Sequence, residues 1–333
     1  MAERLADIDA FLTQAGWGNA ARHPLAGDAS ARRYLRLTQN GQSAILMDSP
    51  SGPETQRFVR IGTWLTEAGF SAPRLLAENA GQGLLLLEDL GDDLIAQLVA
   101  KDPAQEAPLY AAITDFLAAL HRVPAPDFLP DLGATELADL VRIVPDWYPC
   151  SSATAADEVP ERIAALYSGL NREAPVMCLR DFHAENILWL PDRAGPARLG
   201  LLDFQDAVRA HPAYDLVSVL QDARRAVSAQ TEAAERQRYA SRNMLEQGRF
   251  DTIYALLGAQ RSLRIVGIFA RLCMAMGKAH YVDLIPRSWS YIERNLSHPA
   301  LEPLARVILA AYPRPDQDIL NRIKDKCGTL PMR

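Results

Sequence analysis

The sequence predicts an α+β protein of two lobes, a small one built on an antiparallel sheet and a larger one that is mainly helical. Three observations support this. At 333 residues the chain is long for a single core. Strand and hairpin signals crowd into the chain up to Leu87, with Asn40-Gly41 the strongest turn. Beyond residue 92 almost every apolar pattern has the helical period. The expected division is 1–87 for the small lobe, 88–91 for a hinge and 92–333 for the helical lobe.

Taken in order, residues 3–16 read as a helix with Leu5, Ile8, Leu12 and Ala15 on one face, closed by Gly16. A small-residue turn, Gly27-Asp28-Ala29-Ser30, separates the first strand from Leu35-Arg36-Leu37-Thr38, and Ser43–Met47 returns. Residues 54–69 form a second helix, with Phe58, Ile61, Leu65 and Ala68 along one side. Arg74–Ala77 and Leu84–Leu87 are strands, and the second stops at Glu88-Asp89-Leu90-Gly91. Helices are then expected over 105–122, 134–144, 156–170, 213–230, 231–248, 250–276, 288–296 and 299–311. Two short apolar runs, Val176–Leu179 and Leu199–Leu202, read as hairpin-like strands within the helical lobe.

Composition narrows the function. A content of 49% hydrophobic and 23% charged residues is that of a globular protein. A net charge of −6 gives no basic footprint for nucleic acid. The four cysteines are scattered without a CxxC pair, which reads as reduced thiols in a cytosolic protein. The first residues are charged and no 18-residue apolar run occurs, so neither a signal peptide nor a membrane span is expected.

The chemistry concentrates in residues 175–206. Both short apolar runs lead into an aspartate, Asp181 and Asp203, and Asn186 follows Asp181 by five residues. An attacking hydroxyl needs a carboxylate to orient it and accept its proton, and metal-bound phosphates need oxygen ligands. Asp181 fits the first role, Asn186 and Asp203 the second. Each residue alone also reads as a loop or cap residue; the spacing of the three together points to phosphoryl transfer. His183 and Glu185 share the loop, but no third ligand at usable spacing makes them a zinc pair. His183 and Asp206 read as substrate-facing or loop groups. Asp215 starts a helix and reads as a structural brace.

These motifs resemble those of the aminoglycoside phosphotransferase / choline kinase family, a branch of the protein-kinase-like fold. Leu179-Arg180-Asp181-Phe182-His183-Ala184-Glu185-Asn186 is similar to its catalytic loop, and Leu201-Leu202-Asp203-Phe204 to its metal-binding segment. Within the family, the stretches Gly27–Tyr34, Met47–Pro50, Leu86–Gly91, Asp203–Val208, Tyr214–Ser218 and Leu263–Leu272 resemble bacterial anomeric kinases of N-acetylmuramate and N-acetylglucosamine. The resemblance covers nearly the whole chain. It implies a bilobal fold, ATP and Mg²⁺ as cofactors, a small-molecule acceptor and a role in cell-wall recycling. It implies no nucleic-acid, membrane or obligate protein partner, and a cytoplasmic location.

Three departures from the family pattern matter. Leu179 stands where the family loop usually has histidine, and Gln205 where a glycine usually follows Asp203-Phe204. The third strand usually carries the lysine that holds the α- and β-phosphates. That position falls on Met47, and the first lysine in the chain is Lys101. Arg32 or Arg33 is expected to replace it, because a guanidinium fork suits phosphate oxygens. The nucleotide site is expected at Gly27, Ser30, Arg32, Arg33, Glu88 and Leu90, with the backbone of the last two reading adenine. The substrate side is expected at His183, Asp206 and Arg264. Two other readings stay open: a kinase for an aminoglycoside, amino alcohol or homoserine, and a nucleotide-binding pseudokinase.

Overall fold

In the structure, a computed structural model that describes residues 2–25 and 32–331, the chain forms two compact units. The first comprises Met1–Gln105 with Ala184–Ala207, the second Glu106–His183 with Val208–Arg333.

The first unit is built from α1 (Ala2–Gln14), β1 (Ala21–Pro24), β2 (Arg33–Gln39), β3 (Gln42–Asp48), α2 (Pro53–Glu67), β4 (Leu75–Asn79), β5 (Leu84–Glu88) and α3 (Ile95–Lys101). Its strands form one antiparallel sheet in the order β1-β2-β3-β5-β4. Asn40 and Gly41 both take positive φ, as a tight two-residue hairpin demands, and set the β2–β3 register with Gln39 opposite Gln42. The period of two sends Leu37, Ala44, Leu46, Leu84 and Leu86 to one face, where they pack with Ile8, Phe11 and Leu12 of α1. Met47, Leu85 and Leu87 are buried on the other face. The unbroken apolar run of β5 is therefore that of a strand covered on both sides. Gly83 is obligatory in the preceding turn: its φ is 72°, and a Cβ there would lie 2.1 Å from the Ser49 carbonyl oxygen.

The second unit contains α4 (Glu106–Leu120), α5 (Ala134–Leu140), α6 (Val144–Trp147), α7 (Ala153–Leu170) and β6 (Val176–Cys178). The chain then gives β7 (Ile187–Trp189) and β8 (Leu199–Leu201) to the first unit. It re-enters the second unit with β9 (Val208–Ala210), α8 (Ala213–Leu220), α9 (Ala229–Arg242), α10 (Gln247–Met276), α11 (Ile285–Leu296), α12 (Glu302–Ala311) and α13 (Gln317–Asp325). The core of this unit is α10, against which α6, α8 and α11 pack. Long and apolar enough by composition to cross a membrane, α10 is 83% buried over its most apolar window, which identifies it as a core helix.

Several expectations need correction. The runs 176–179 and 199–202 do not form a hairpin: β6 pairs with β9, and β8 with β7. Helix 213–230 ends at Leu220, because the Asp222 carboxylate takes the Arg224 N–H at 2.8 Å and turns the chain. The short α3 and α13 were not expected from the pattern. The first compact unit runs on to Gln105, and within it Leu94 bridges to Leu188 and the Trp189 N–H donates to the Asp93 carbonyl.

Candidate active site

The sequence-predicted residues are divided between the units, with Asp181, His183 and Arg264 in the second and Arg32, Arg33, Glu88, Leu90, Asn186, Asp203 and Asp206 in the first. Gly27 and Ser30 lie outside the described residues.

In the second unit β6 ends at Cys178 and hands the chain to Asp181 through a strained step. Arg180 holds φ at 68°, a left-handed conformation costing a non-glycine residue on the order of 1 kcal/mol. Hydrogen bonds over-determine it. The fully buried Asp215 of α8 accepts from the Leu179 N–H at 2.5 Å and the Arg180 N–H at 3.0 Å. The Ser218 hydroxyl donates to the Arg180 carbonyl at 3.1 Å. Phe182 anchors the far side by stacking on Phe116 at 5.7 Å. Asp181 is exposed between these two fixed points. The backbone around it is thus positioned before any ligand arrives, which is what a catalytic carboxylate requires.

Burial pushes the Asp215 carboxyl up to about 7, against the lowering effect of its two amide donors. A carboxyl raised in the fold above its ordinary 3.8 contributes stability that is full below about pH 4 and lost as pH rises through about 7. Asp215→Ala strands one buried and one part-buried N–H group and is expected to cost about 2–4 kcal/mol in denaturant unfolding. For Asp215→Asn the deficit against wild type should be larger at pH 5 than at pH 8. A loss below about 0.5 kcal/mol in the alanine variant would contradict the brace.

His183 is buried, not solvated, with its Nε2 at 3.3 Å from Arg224 Nη1. Burial first, then Arg224 and Arg261, hold the imidazole well below its ordinary pKa, so it is neutral. Arg264 donates to the Tyr214 hydroxyl at 3.4 Å. The more deeply buried cation on the same helix is Arg261, 7% exposed, whose electrostatic neighbours include Tyr214, Asp181 and Asp222. Sequence reading missed it: by the helical period Arg261 lies on the same side of α10 as Arg264, and no local pattern marks it as the more buried of the two.

In the first unit the β7–β8 hairpin aligns the two expected metal ligands. The Leu202 N–H donates to the Asn186 carbonyl at 2.9 Å, one residue before Asp203. Asp203 holds φ at 54°, and the following Phe204 stacks on Phe58 of α2 at 4.8 Å with its ring edge against Gly62. A bulkier residue at position 62 would displace that ring.

The cation at this site is Arg32. Its side chain is 8% exposed, and its Nη2 lies 2.9 Å from Glu54 of α2 and 3.3 Å from Asp203 Oδ1. Its Nη1 donates to Gln205 Oε1 at 3.0 Å, and Gln205 Nε2 donates to Asp203 Oδ1 at 3.0 Å. Burial pulls the guanidinium pKa down, but Tyr34, Asp203 and Glu54 outweigh it and leave it raised, so the charge is permanent. Met47 lines the same small cavity as Arg32, Glu54 and Phe58. An arginine on the approach to the second strand therefore pairs with a helix glutamate, the pairing that the third-strand lysine makes in protein kinases. Arg33 is exposed and sits opposite Asp48 across the strand pair. The missing lysine pointed the sequence reading to Arg32 or Arg33 as its replacement. Of the residues that fix Arg32, Glu54 gave no signal beyond its type, and Gln205 only its departure from glycine.

Both bonds to Asp203 arrive at Oδ1, so Oδ2 faces no donor described by the structure. Asn186 and Asp203 each carry a side-chain oxygen, the donor type that Mg²⁺ takes. The remaining candidates are engaged less directly. Glu88 ion-pairs with Arg193 at 2.7 Å and Arg74 at 3.1 Å, and its N–H donates to the Arg74 carbonyl. Leu90 is half-buried within a segment that Arg36 ties down through Asp89 and Asp92. Asp206 faces Arg57 at 3.7 Å on the surface.

Comparison with known proteins agrees with this geometry. Residues 22–250 match the family described as Phosphotransferase enzyme family. An N-acetylmuramate/N-acetylglucosamine kinase of Caulobacter vibrioides is 41% identical over 345 aligned positions, covering 91% of this chain and 95% of the relative. The enzyme of the same name from Pseudomonas aeruginosa is 31% identical, covering 90% and 91%. Among solved structures, a choline/ethanolamine kinase family protein of Mesorhizobium loti shares the fold with a TM-score of 0.63 at 13% identity, covering 92% of this chain and 99% of its own. The small antiparallel sheet, the mainly helical second unit and these matches together make the chain a member of the phosphotransferase enzyme family, with a kinase-like fold.

Proposed function

We propose that the protein is an ATP- and Mg²⁺-dependent kinase that phosphorylates the anomeric hydroxyl of N-acetylmuramate and N-acetylglucosamine. The observation that carries phosphoryl transfer is the exposed Asp181 on a loop whose neighbouring amides are fixed by buried Asp215. The acceptor follows from the names of the relatives, at up to 41% identity over 91% of the chain.

In this reading Asp181 accepts a hydrogen bond from the sugar C1 hydroxyl, directs its oxygen at the γ-phosphorus, and takes the proton as the bond to phosphorus forms and the bond from the γ-phosphorus to the β–γ bridging oxygen breaks, with ADP leaving. Asn186 and Asp203 would hold the metal, which supplies charge neutralisation for the β- and γ-phosphates. Arg32 stands in for the absent strand lysine as the phosphate cation. Glu54 and Gln205 keep its guanidinium in place. The backbone of Glu88 and Leu90 reads the adenine edge. The protein acts in the cytoplasm on sugars freed during cell-wall turnover.

An ADP-release assay across acceptors tests the acceptor. The two N-acetyl amino sugars should give turnover, while their 1-O-methyl glycosides, which lack the reacting hydroxyl, should give none. Equal turnover of the glycosides, or turnover only with an aminoglycoside or amino alcohol, would replace the reading.

A further inference from the structure

We propose that Cys273 and Cys327 form a dithiol that hydrogen peroxide oxidises to an intramolecular disulfide, a modification site that ties α13 to the core helix α10.

Both cysteines belong to the second unit and are free thiols. Cys273 is fully buried in the last turn of α10, and Cys327 is half-buried in the turn that follows α13. The local fold brings them together from both sides. α10 stops at Gly277, which takes a left-handed φ of 71°. The final carbonyls of a helix are open to donors from elsewhere. The turn after α13 supplies them: the Gly328 N–H donates to the Cys273 carbonyl at 3.0 Å, and the Leu330 N–H to the Met274 carbonyl at 3.1 Å. Gly277 and Gly328 face each other at this contact, so no side chain intervenes. On the helix side, the Cys273 thiol donates to the Ile323 carbonyl of α13 at 3.6 Å. The Cys327 N–H donates to the Lys324 carbonyl at 2.9 Å and turns the chain back toward α10. The Cys327 sulfur thereby comes within hydrogen-bonding reach of the Cys273 thiol. Thiols in contact, on backbones already joined by hydrogen bonds, need little movement to reach disulfide geometry.

The two sulfurs take different roles. Cys273 is closed off from solvent, and burial raises its thiol pKa, so it stays protonated and is reached through its neighbour. Cys327 is half-buried between exposed Lys326 and Gly328, so an oxidant arrives there. Attack of the Cys327 thiolate on peroxide forms an S–O bond and breaks the O–O bond, and the hydroxide released takes up the thiol proton as water. The Cys273 sulfur then attacks Cys327 Sγ. The S–S bond forms, the S–O bond breaks, and the hydroxyl leaves with the Cys273 proton as a second water. Two thiols are oxidised to one disulfide and one peroxide is reduced to two waters. The bond closes the chain from 273 to 327 around α11, α12 and α13, a constraint on the unfolded chain that stabilises the fold.

The test treats the full chain with hydrogen peroxide, blocks the remaining thiols with an alkylating agent and maps unreduced peptides by mass spectrometry. The expected product is a Cys273–Cys327 cross-linked species about 2 Da lighter than the two thiol peptides together. The Tm of the oxidised monomer should rise by about 5–10 °C and fall back on reduction with dithiothreitol. Cys327→Ser should show neither the cross-link nor the shift, with unchanged kcat in the absence of peroxide. Cys273 recovered as a free thiol while Cys327 is driven to sulfinic acid overturns the pair. Cross-links formed only through Cys150 between molecules overturn it as well. The wild-type peptide map decides even if the variant fails to fold.

Discussion

Asp181→Asn should abolish turnover while leaving the fold and nucleotide binding in place. The substitution keeps the shape of the side chain and removes the proton acceptor. The neighbouring backbone does not depend on the carboxylate, because Leu179 and Arg180 are held by Asp215 and Ser218. General-base catalysis contributes about 10²–10⁴-fold, so kcat should fall by that factor. Thermal stabilisation by ATP should persist, since none of the groups assigned to the nucleotide is changed. A variant retaining more than about a tenth of wild-type kcat would remove Asp181 from the mechanism. Nucleotide binding by a wild type that turns over no acceptor would instead identify a pseudokinase.

The second large effect is expected at Arg32. Arg32→Ala deletes the cation that lies against Asp203, Gln205 and Glu54. It should lower kcat/KM for ATP by about 100-fold or more, the usual cost of removing one group that stabilises transferred charge. It also leaves the carboxylates of Glu54 and Asp203 without that partner, so some stability is lost with the activity. Arg33→Ala, at an exposed position on the neighbouring residue, should have a much smaller effect. Steady-state kinetics in ATP distinguishes the two. Equal effects, or a larger effect at Arg33, would return the phosphate contact to an unassigned group.

The fold was legible in the sequence wherever one period ran unopposed. Asn40-Gly41 set the β2–β3 hairpin, and Leu84–Leu87 announced a strand buried on both faces. Local signals failed where a distant partner decided the outcome. The two short apolar runs looked like a hairpin because they were alike, yet β6 and β8 pair with β9 and β7. The end of α8 turns on one Asp222 hydrogen bond, invisible to periodicity. The candidate site divides in the same way. Asp181, Asn186 and Asp203 stood out because chemistry fixes their types and spacing. Gln205 first appeared only as a departure from glycine, and its bond to Arg32, which carries the link on to Asp203, spans 173 residues. Arg224 lay within a stretch read as ordinary helix. Such residues act through contacts, and contacts between distant positions leave no trace in a single sequence.

The central claim is phosphoryl transfer to the C1 oxygen of an N-acetyl amino sugar through Asp181. The most direct measurement is ³¹P NMR of the product formed from ATP, Mg²⁺ and N-acetylglucosamine. The expected result is an α- or β-sugar 1-phosphate resonance with coupling to the anomeric proton, absent with Asp181→Asn. Phosphorus coupled to the C6 protons, or inorganic phosphate alone, would contradict the account.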